Sequence, residues 1–130
     1  MLRLMWIVLA AMLCLPLASQ GSSQGSSQGF QAAQGRQDGL PVIAAADLSA
    51  EARDTLHAIK QGGPFAYPRD GEVFNNFERV LPKRQRGYYH EYTVVTPGMN
   101  NRGVRRIISG ETNEYYYTAD HYQTFKRILE

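Results

Sequence analysis

Apolar positions along this chain change their pattern three times. Met1–Leu17 holds a continuous apolar run, Leu4–Leu15, behind a single basic residue, Arg3, and ahead of Pro16, Ala18 and Ser19. That order is the n-region, h-region and cleavage site of a secretory signal peptide, expected over residues 1–19. The run is too short for an ordinary transmembrane span. A membrane anchor or a buried helix is the competing reading. From Gly21 to Gly39 apolar residues thin out, Gly, Ser and Gln dominate, and the tetrad Gly-Ser-Ser-Gln occurs twice. Such a composition cannot bury a core and predicts a flexible tether over residues 20–39. A folded domain is expected over 40–130.

Within that domain one segment has helical period. Ala52, Leu56 and Ile59 share a face, Ser49 stands at the N-cap position, and Glu51 puts a negative charge in the first turn. Gly62-Gly63 and Pro64 end it. His57 falls among polar neighbours and reads as a surface residue. Phe65–Pro82 is punctuated by Pro68, Gly71 and Pro82, so it predicts structured loop with one short strand around Glu72–Phe74. The remainder is aromatic and β-branched. Tyr88–Val95, Val104–Ser109, Tyr115–Thr118 and Tyr122–Ile128 are the strand candidates, the first two joined across Pro97-Gly98, Asn100-Asn101 and Gly103. One helix followed by hairpin-linked strands predicts an α+β domain, with one N-terminal helix packed on a twisted antiparallel β-sheet. Side chains alternate along a strand, so Tyr89, Glu91 and Thr93 should share a face, and Arg105 and Arg106 should point opposite ways.

Composition adds two constraints. A chain of 130 residues suggests one domain, and its lone cysteine, Cys14, lies in the leader. The mature domain must therefore hold together through its core, without disulfides. The net charge is only +2, but from Lys83 to Arg106 six basic residues face one acid, Glu91. That excess suits a polyanion such as nucleic acid, and it equally suits a solvated basic face.

Glu91 is a carboxylate inside an aromatic strand, where it would cost desolvation energy unless a cation pairs with it; Arg102, Arg105 and Arg106 can supply one. A buried Glu–Arg ion pair and a general base are both open on pattern alone. His121 sits in the link Ala119-Asp120-His121-Tyr122, where a loop on a rigid sheet could hold a general acid or simply an exposed histidine. No metal or cofactor is expected. There is no His-Glu-x-x-His stretch, no cysteine pair, no Gly-x-Ser-x-Gly elbow and no phosphate-binding Gly-rich loop. A Glu, a His and arginines do suffice for metal-free RNA cleavage. RNA carries its own nucleophile in the 2′-hydroxyl, a base removes its proton, an acid protonates the leaving 5′-oxygen, and arginine stabilises the charge gained between them. DNA lacks that hydroxyl.

These residues lie in recognisable motifs. Gly63-Pro64-Phe65, Val73-Phe74-Asn75-Asn76, Val80-Leu81-Pro82, Gly87-Tyr88-Tyr89-His90-Glu91-Tyr92-Thr93-Val94, Arg102-Gly103, Arg105-Arg106-Ile107-Ile108 and Thr118-Ala119-Asp120-His121-Tyr122 occur in this order. Over Leu48–Ile128 the chain resembles the guanyl-specific microbial ribonucleases, of the ribonuclease Sa-like kind and more distantly the barnase-like kind. The resemblance implies that Glu91 is the general base and His121 the general acid, with Arg102 and Arg106 on the phosphate and Tyr122 beside the substrate. It implies guanine recognition by the loop Phe74, Asn75, Asn76, Phe77 and Glu78, the Glu78 carboxylate accepting from the base. It further implies a 2′,3′-cyclic phosphate intermediate and a 3′-phosphate product. The chain departs from the Sa-like pattern in lacking the disulfide that joins the ends of the domain, in carrying Phe77 for a polar or basic side chain and Asn75 for a longer amide, and in a turn after Gly110 that is one residue shorter.

The expected partner is single-stranded RNA, with a small acidic proteinaceous inhibitor as a further partner, no membrane after signal cleavage, and a monomeric, secreted protein. Two other functions stay open at this point: a non-catalytic RNA- or protein-binding module, and an antibacterial ribonuclease toxin with the same chemistry.

Overall fold

The structure, a computed structural model, describes residues 36–130. The leader and nearly all of the expected tether lie outside the described residues. The last residues of that tether belong to the sheet: β1 (Arg36–Gln37) pairs antiparallel with β2 (Leu40–Ala44). A short 3-10 turn, Ala45–Asp47, leads to the helix α1 (Ala50–Gln61). Five strands follow: β3 (Glu72–Phe74), β4 (Tyr89–Thr93), β5 (Arg106–Gly110), β6 (Tyr115–Thr118) and β7 (Lys126–Leu129). They form one seven-stranded sheet in the order β1-β2-β7-β6-β5-β4-β3.

The helix starts and stops where its sequence signals stand. The Ser49 side chain accepts from the Ala52 N–H at 3.2 Å, satisfying one of the free donors of the first turn. Gly62 closes the other end at φ 79°, a left-handed conformation that costs glycine little. Ala52 and Leu56 are buried against Val94, Ile107, Tyr115 and Ile128, and Ile59 packs at the edge of this cluster. The Thr55 hydroxyl adds a bond to the Thr93 carbonyl at 3.2 Å, tying α1 to β4.

The sheet is antiparallel except where β2 runs parallel to β7, through Val42 opposite Arg127 and Ile43 opposite Ile128. That pair joins the two ends of the domain. The sequence reading had no strand at β2, because Pro41 interrupts a short apolar run whose partner lies more than eighty residues away. A second correction concerns the last candidate strand. Tyr122–Ile128 does not form one extended piece: residues up to Phe125 form a turn, and β7 begins at Lys126. The other strands fall within or close to their expected bounds.

The two faces of the sheet have different cover. α1 and its cluster occupy one face. The other carries a second cluster, Leu81, Tyr89, Ile108, Tyr116 and Phe125, flanked by Phe74, Val80, Tyr88 and Tyr122. Glu91 pairs with Ile108 and Thr93 with Arg106 in the β4–β5 ladder, so Glu91 and Arg106 share this second face. Among the described residues no helix is long and apolar enough to cross a membrane.

Leu56 is buried where α1 meets the sheet, so its truncation tests this arrangement. We expect Leu56→Ala to cost about 2–5 kcal/mol, read as a lower urea midpoint at unchanged slope.

Candidate active site

The β4–β5 ladder supplies the centre of the site. The Glu91 carboxylate takes two donors on its two oxygens. Arg102 Nη2 lies 3.3 Å from Oε1, and the Tyr122 hydroxyl donates to Oε2 at 2.6 Å. Arg102 reaches this position from the loop before β5. Its Nε donates to the Thr93 hydroxyl at 3.0 Å, and its Nη2 also lies 4.0 Å from Asp70 Oδ1. Tyr122 is half-buried, and burial followed by its bond to Glu91 pushes its hydroxyl up to about 12, so it remains a donor at neutral pH.

Arg106 is 3% exposed. One end of its guanidinium is fully used: Nη1 donates to the carbonyls of Arg102, Gly103 and Arg105 at 3.3, 3.0 and 2.8 Å. Its Nε is buried with no partner among the described residues. Its Cζ stands 6.0 Å from the centre of the Tyr122 ring, which puts the group beside the Glu91–Tyr122 bond. A buried cation with an unfilled donor edge and no carboxylate partner is arranged to receive an oxyanion, because the guanidinium fork matches two oxygens of a phosphate. Arg105 behaves differently, as strand alternation requires. It bonds to Thr96, Ser49 and the Val95 carbonyl and stands 3.9 Å from Glu51, on the helix side.

His121 and Tyr122 both adopt positive φ, 55° and 74°. Two successive non-glycine residues in the left-handed region are strained and persist only where neighbouring bonds hold them. Asp120 provides those bonds. Its carboxylate accepts from the Thr118 hydroxyl, the Thr124 N–H and the Thr124 hydroxyl, at 2.9, 2.9 and 2.6 Å. The Tyr122 N–H donates to the Thr118 hydroxyl, and the His121 N–H to the Val104 carbonyl. The His121 ring is exposed and rests 4.8 Å from the Tyr122 ring, centre to centre, so Tyr122 bridges His121 to Glu91. His90, the other histidine of the β-region, lies on the opposite strand face with Nδ1 at the Gly71 carbonyl.

Beside this cluster opens a pocket of about 270 Å³. Phe74, Asn75, Asn76, Phe77 and Glu78 form one wall, and Glu91, Tyr122 and Phe125 border it. Phe74 and Tyr122 stack at 5.0 Å with their planes 25° apart. The loop is held by Asn76, whose amide donates to the Leu81 carbonyl at 2.9 Å and accepts from the Leu81 N–H at 3.2 Å. Asn76 therefore shapes the loop with its side chain instead of offering it to a ligand. The N–H groups of Asn76, Phe77 and Glu78 have no acceptor among the described residues. Phe77 projects from the rim, 86% exposed.

All ten residues singled out from the sequence thus gather on one face, six of them around the pocket with Glu91, and Arg102, Arg106 and His121 at its edge. Three supporting residues were missed. Asp70, its side chain 2% exposed, accepts from the Thr93 N–H at 2.8 Å and from the Tyr67 N–H, and steers Arg102. Thr118 and Asp120 hold the His121 turn. An Asp before Gly71 and an Asp beside His121 were visible signals, but each reads as ordinary turn chemistry until its partners are known.

The ribonuclease family model matches residues 31–129. The chain belongs to the ribonuclease family. It is 49% identical over 95 residues to guanyl-specific ribonuclease St of Saccharopolyspora erythraea, covering 73% of this chain and 94% of that one. It is 58% identical over 87 residues to guanyl-specific ribonuclease Sa of Kitasatospora aureofaciens, covering 66% and 91%. The fold matches ribonuclease Sa2 in complexes with mononucleotides at TM-score 0.69 and 49% identity, over 70% of this chain and 95% of that one. A further match is ribonuclease Sa2 with guanosine-2′-cyclophosphate, at TM-score 0.67.

Two predictions follow from the geometry. Inorganic phosphate should raise the melting temperature of this ribonuclease, by a free energy approaching about 2.7 kcal/mol at a hundred times its dissociation constant. Arg106→Lys keeps the charge but loses the fork, and should abolish most of that increment. The second concerns Asp120, held down to about 2 chiefly by its bonds to Thr124. A depressed carboxylate contributes stability above its ordinary value of 3.8 and loses it as pH falls through about 2. Asp120→Asn should therefore flatten the loss of thermal stability in that acid window, measured by calorimetry against the unmodified protein.

Proposed function

We propose that this chain is a guanyl-specific endoribonuclease that cleaves single-stranded RNA on the 3′ side of guanosine, with Glu91 as general base and His121 as general acid. The observation that carries the reading is the Glu91 carboxylate held by Arg102 and Tyr122 beside the unfilled donor edge of buried Arg106. Glu91 accepts the 2′-hydroxyl proton, and the 2′-oxygen attacks the adjacent phosphorus. His121, exposed on its pinned turn, protonates the departing 5′-oxygen. Arg106 and Arg102 stabilise the charge that accumulates on the non-bridging oxygens, at positions fixed before the substrate arrives. The product is a 2′,3′-cyclic phosphate. Water then opens it to a 3′-phosphate with the roles of acid and base exchanged.

The pocket beside the catalytic cluster suits guanine. Guanine presents two adjacent donors, N1–H and its exocyclic amine, which one carboxylate accepts together, and Glu78 stands on the pocket wall. The free N–H groups at Asn76, Phe77 and Glu78 suit an acceptor such as O6. Adenine reverses this pattern. Phe74 and Tyr122 offer a flat aromatic surface, Asn75 lines the same wall, and Phe77 stands where it can cover the base. The guanyl-specific relatives and the guanosine-2′-cyclophosphate complex of ribonuclease Sa2 support the same base.

We further infer export, from the leader over residues 1–19, and a monomer. At one edge of the sheet stands β3, three residues long and too short to template edge pairing. A small acidic protein inhibitor would find its complement in the basic stretch Lys83–Arg106.

Product mapping on a defined RNA tests the proposal, with ends read after guanosine and the cyclic phosphate seen before the 3′-phosphate. Glu91→Gln should lower turnover, and His121→Ala should nearly abolish cleavage, each by about 10²–10⁴-fold. Glu78→Ala removes charge-assisted hydrogen bonds of about 1.5–3 kcal/mol, so preference for guanosine over adenosine should fall by roughly tenfold to a hundredfold. Equal cleavage after both bases by the unmodified protein would refute the Glu78 assignment.

A further inference from the structure

Behind the base loop lies a second concavity that the catalytic scheme leaves unused. It measures about 430 Å³ and is lined by Arg79, Lys83, Arg84 and Arg86 together with the aromatic rings of Phe77 and Tyr89. It shares the Phe74–Phe77 segment with the base pocket, so that segment is a wall with a cavity on each side. The chain reverses at the end of this wall. Arg79 takes φ 55° and its N–H bonds to the Asn76 carbonyl, so Glu78 lines the base pocket while Arg79 lines the groove. Acid and base are thereby sorted onto opposite sides.

The four cations are exposed, and no acidic side chain lines the groove. The ion pairs found among the described residues use Lys60, Arg69, Arg102, Arg105 and Arg127, none of these four. Arg84 is the most ordered of them, stacked 5.4 Å over the Tyr88 ring with Nη1 donating to the Lys83 carbonyl at 3.3 Å. Cations outside any ion pair, set beside the exposed Phe77 ring while the Tyr89 ring stays buried beneath, make a track for a single-stranded nucleic acid, phosphates on the cations and a base on Phe77. An acidic protein would need the cations but not the aromatic faces. A duplex would hide its bases from them.

We propose that this groove binds the RNA chain flanking the cleaved guanosine, as a subsite separate from the catalytic phosphate and the guanine pocket. This rests on the ribonuclease reading for its biological sense but not for its test. A strand whose guanine enters the pocket and whose scissile phosphate meets Arg106 continues over the Phe77 rim into the groove. Its effect is on capture of long RNA, not on the bond-breaking step.

The experiment compares the unmodified protein with K83S/R84S/R86S. Binding of a fluorescent oligouridylate, which has no guanine, is followed by anisotropy across a salt series, with duplex RNA and polyglutamate as competitors. Steady-state cleavage of a guanosine-containing dinucleotide and of a long RNA is measured alongside. We expect the variant to bind oligouridylate at least about tenfold more weakly at low salt. Its salt dependence should be shallower by about 2, from three lost phosphate contacts at roughly 0.7 each for single strands. KM for long RNA should rise with kcat unchanged, and dinucleotide kinetics should match the unmodified protein, which also reports an intact fold. Unchanged affinity and salt slope would overturn the proposal, as would polyglutamate or duplex RNA competing as well as oligouridylate. Parallel loss on the dinucleotide would also overturn it. If the protein cut no RNA while the slope difference remained, the catalytic reading would fail and the groove would stand.

Discussion

Strand β4 meets β5 through five residue pairs, from Tyr89 opposite Gly110 to Thr93 opposite Arg106, and Glu91 and Arg106 take their direction from that register. A slip of β4 by one residue would turn Glu91 toward α1, away from the face that carries Arg106. Burial on both faces opposes the slip. Ile107 and Val94 pack under the helix, while Ile108, Tyr89 and Tyr116 pack on the site side, so the apolar side chains and the charged ones enforce the same alignment. The catalytic face is therefore not an addition to a finished sheet. Its residues occupy the alternate positions of strands whose other positions make the core.

Within the cluster the charges are unequally compensated. Arg102 faces two carboxylates, Glu91 at 3.3 Å and Asp70 at 4.0 Å, whereas Arg106 has only carbonyls and a ring face. Leaving a buried donor unpaired costs about 1–3 kcal/mol. In the proposed mechanism a substrate phosphate removes that cost on binding, and its developing charge in the transition state gains more from the same donors than the ground state does. The division also explains why the two arginines are not interchangeable. In the proposed mechanism Arg102 orients the general base, and Arg106 is the group left open for the oxyanion.

The helix and four of the strands could be read from residues alone, because each has a local signature, whereas the roles proposed for the site residues come from the family resemblance. Ser49 and Gly62 bracket α1, alternation orders the faces of β4 and β5, and the motifs around Glu91, Arg106 and His121 are dense. The β2–β7 pair could not be read, since its stability comes from contact between the two ends of the domain and Pro41 masks it locally. The Tyr122–Ile128 segment misled for a related reason: its aromatic and β-branched composition suits a strand, but Asp120 and Thr118 capture the backbone first. Asn76 had a role foreseen at the base, and its amide turned out to be committed to Leu81. Side-chain bonds to backbone several residues away leave little trace in periodicity.

Two short loops border this site, and each is fixed by one residue bonded back to its own segment. Asn76 closes the base loop on Leu81, and Asp120 closes the His121 turn on Thr118 and Thr124. Each clamp holds backbone in the left-handed region, at Asn76 and Arg79 in one loop and at His121 and Tyr122 in the other. Strain kept by local bonds is a form of preorganisation. The groups that meet the substrate need not be ordered at the moment of reaction, because the ordering was completed on folding. Such loops also tolerate change at unclamped positions. Phe77 projects beyond the Asn76 clamp, and Lys83, Arg84 and Arg86 lie past Leu81, where the clamp ends. Substitutions there can alter what the protein captures without disturbing the catalytic geometry behind it.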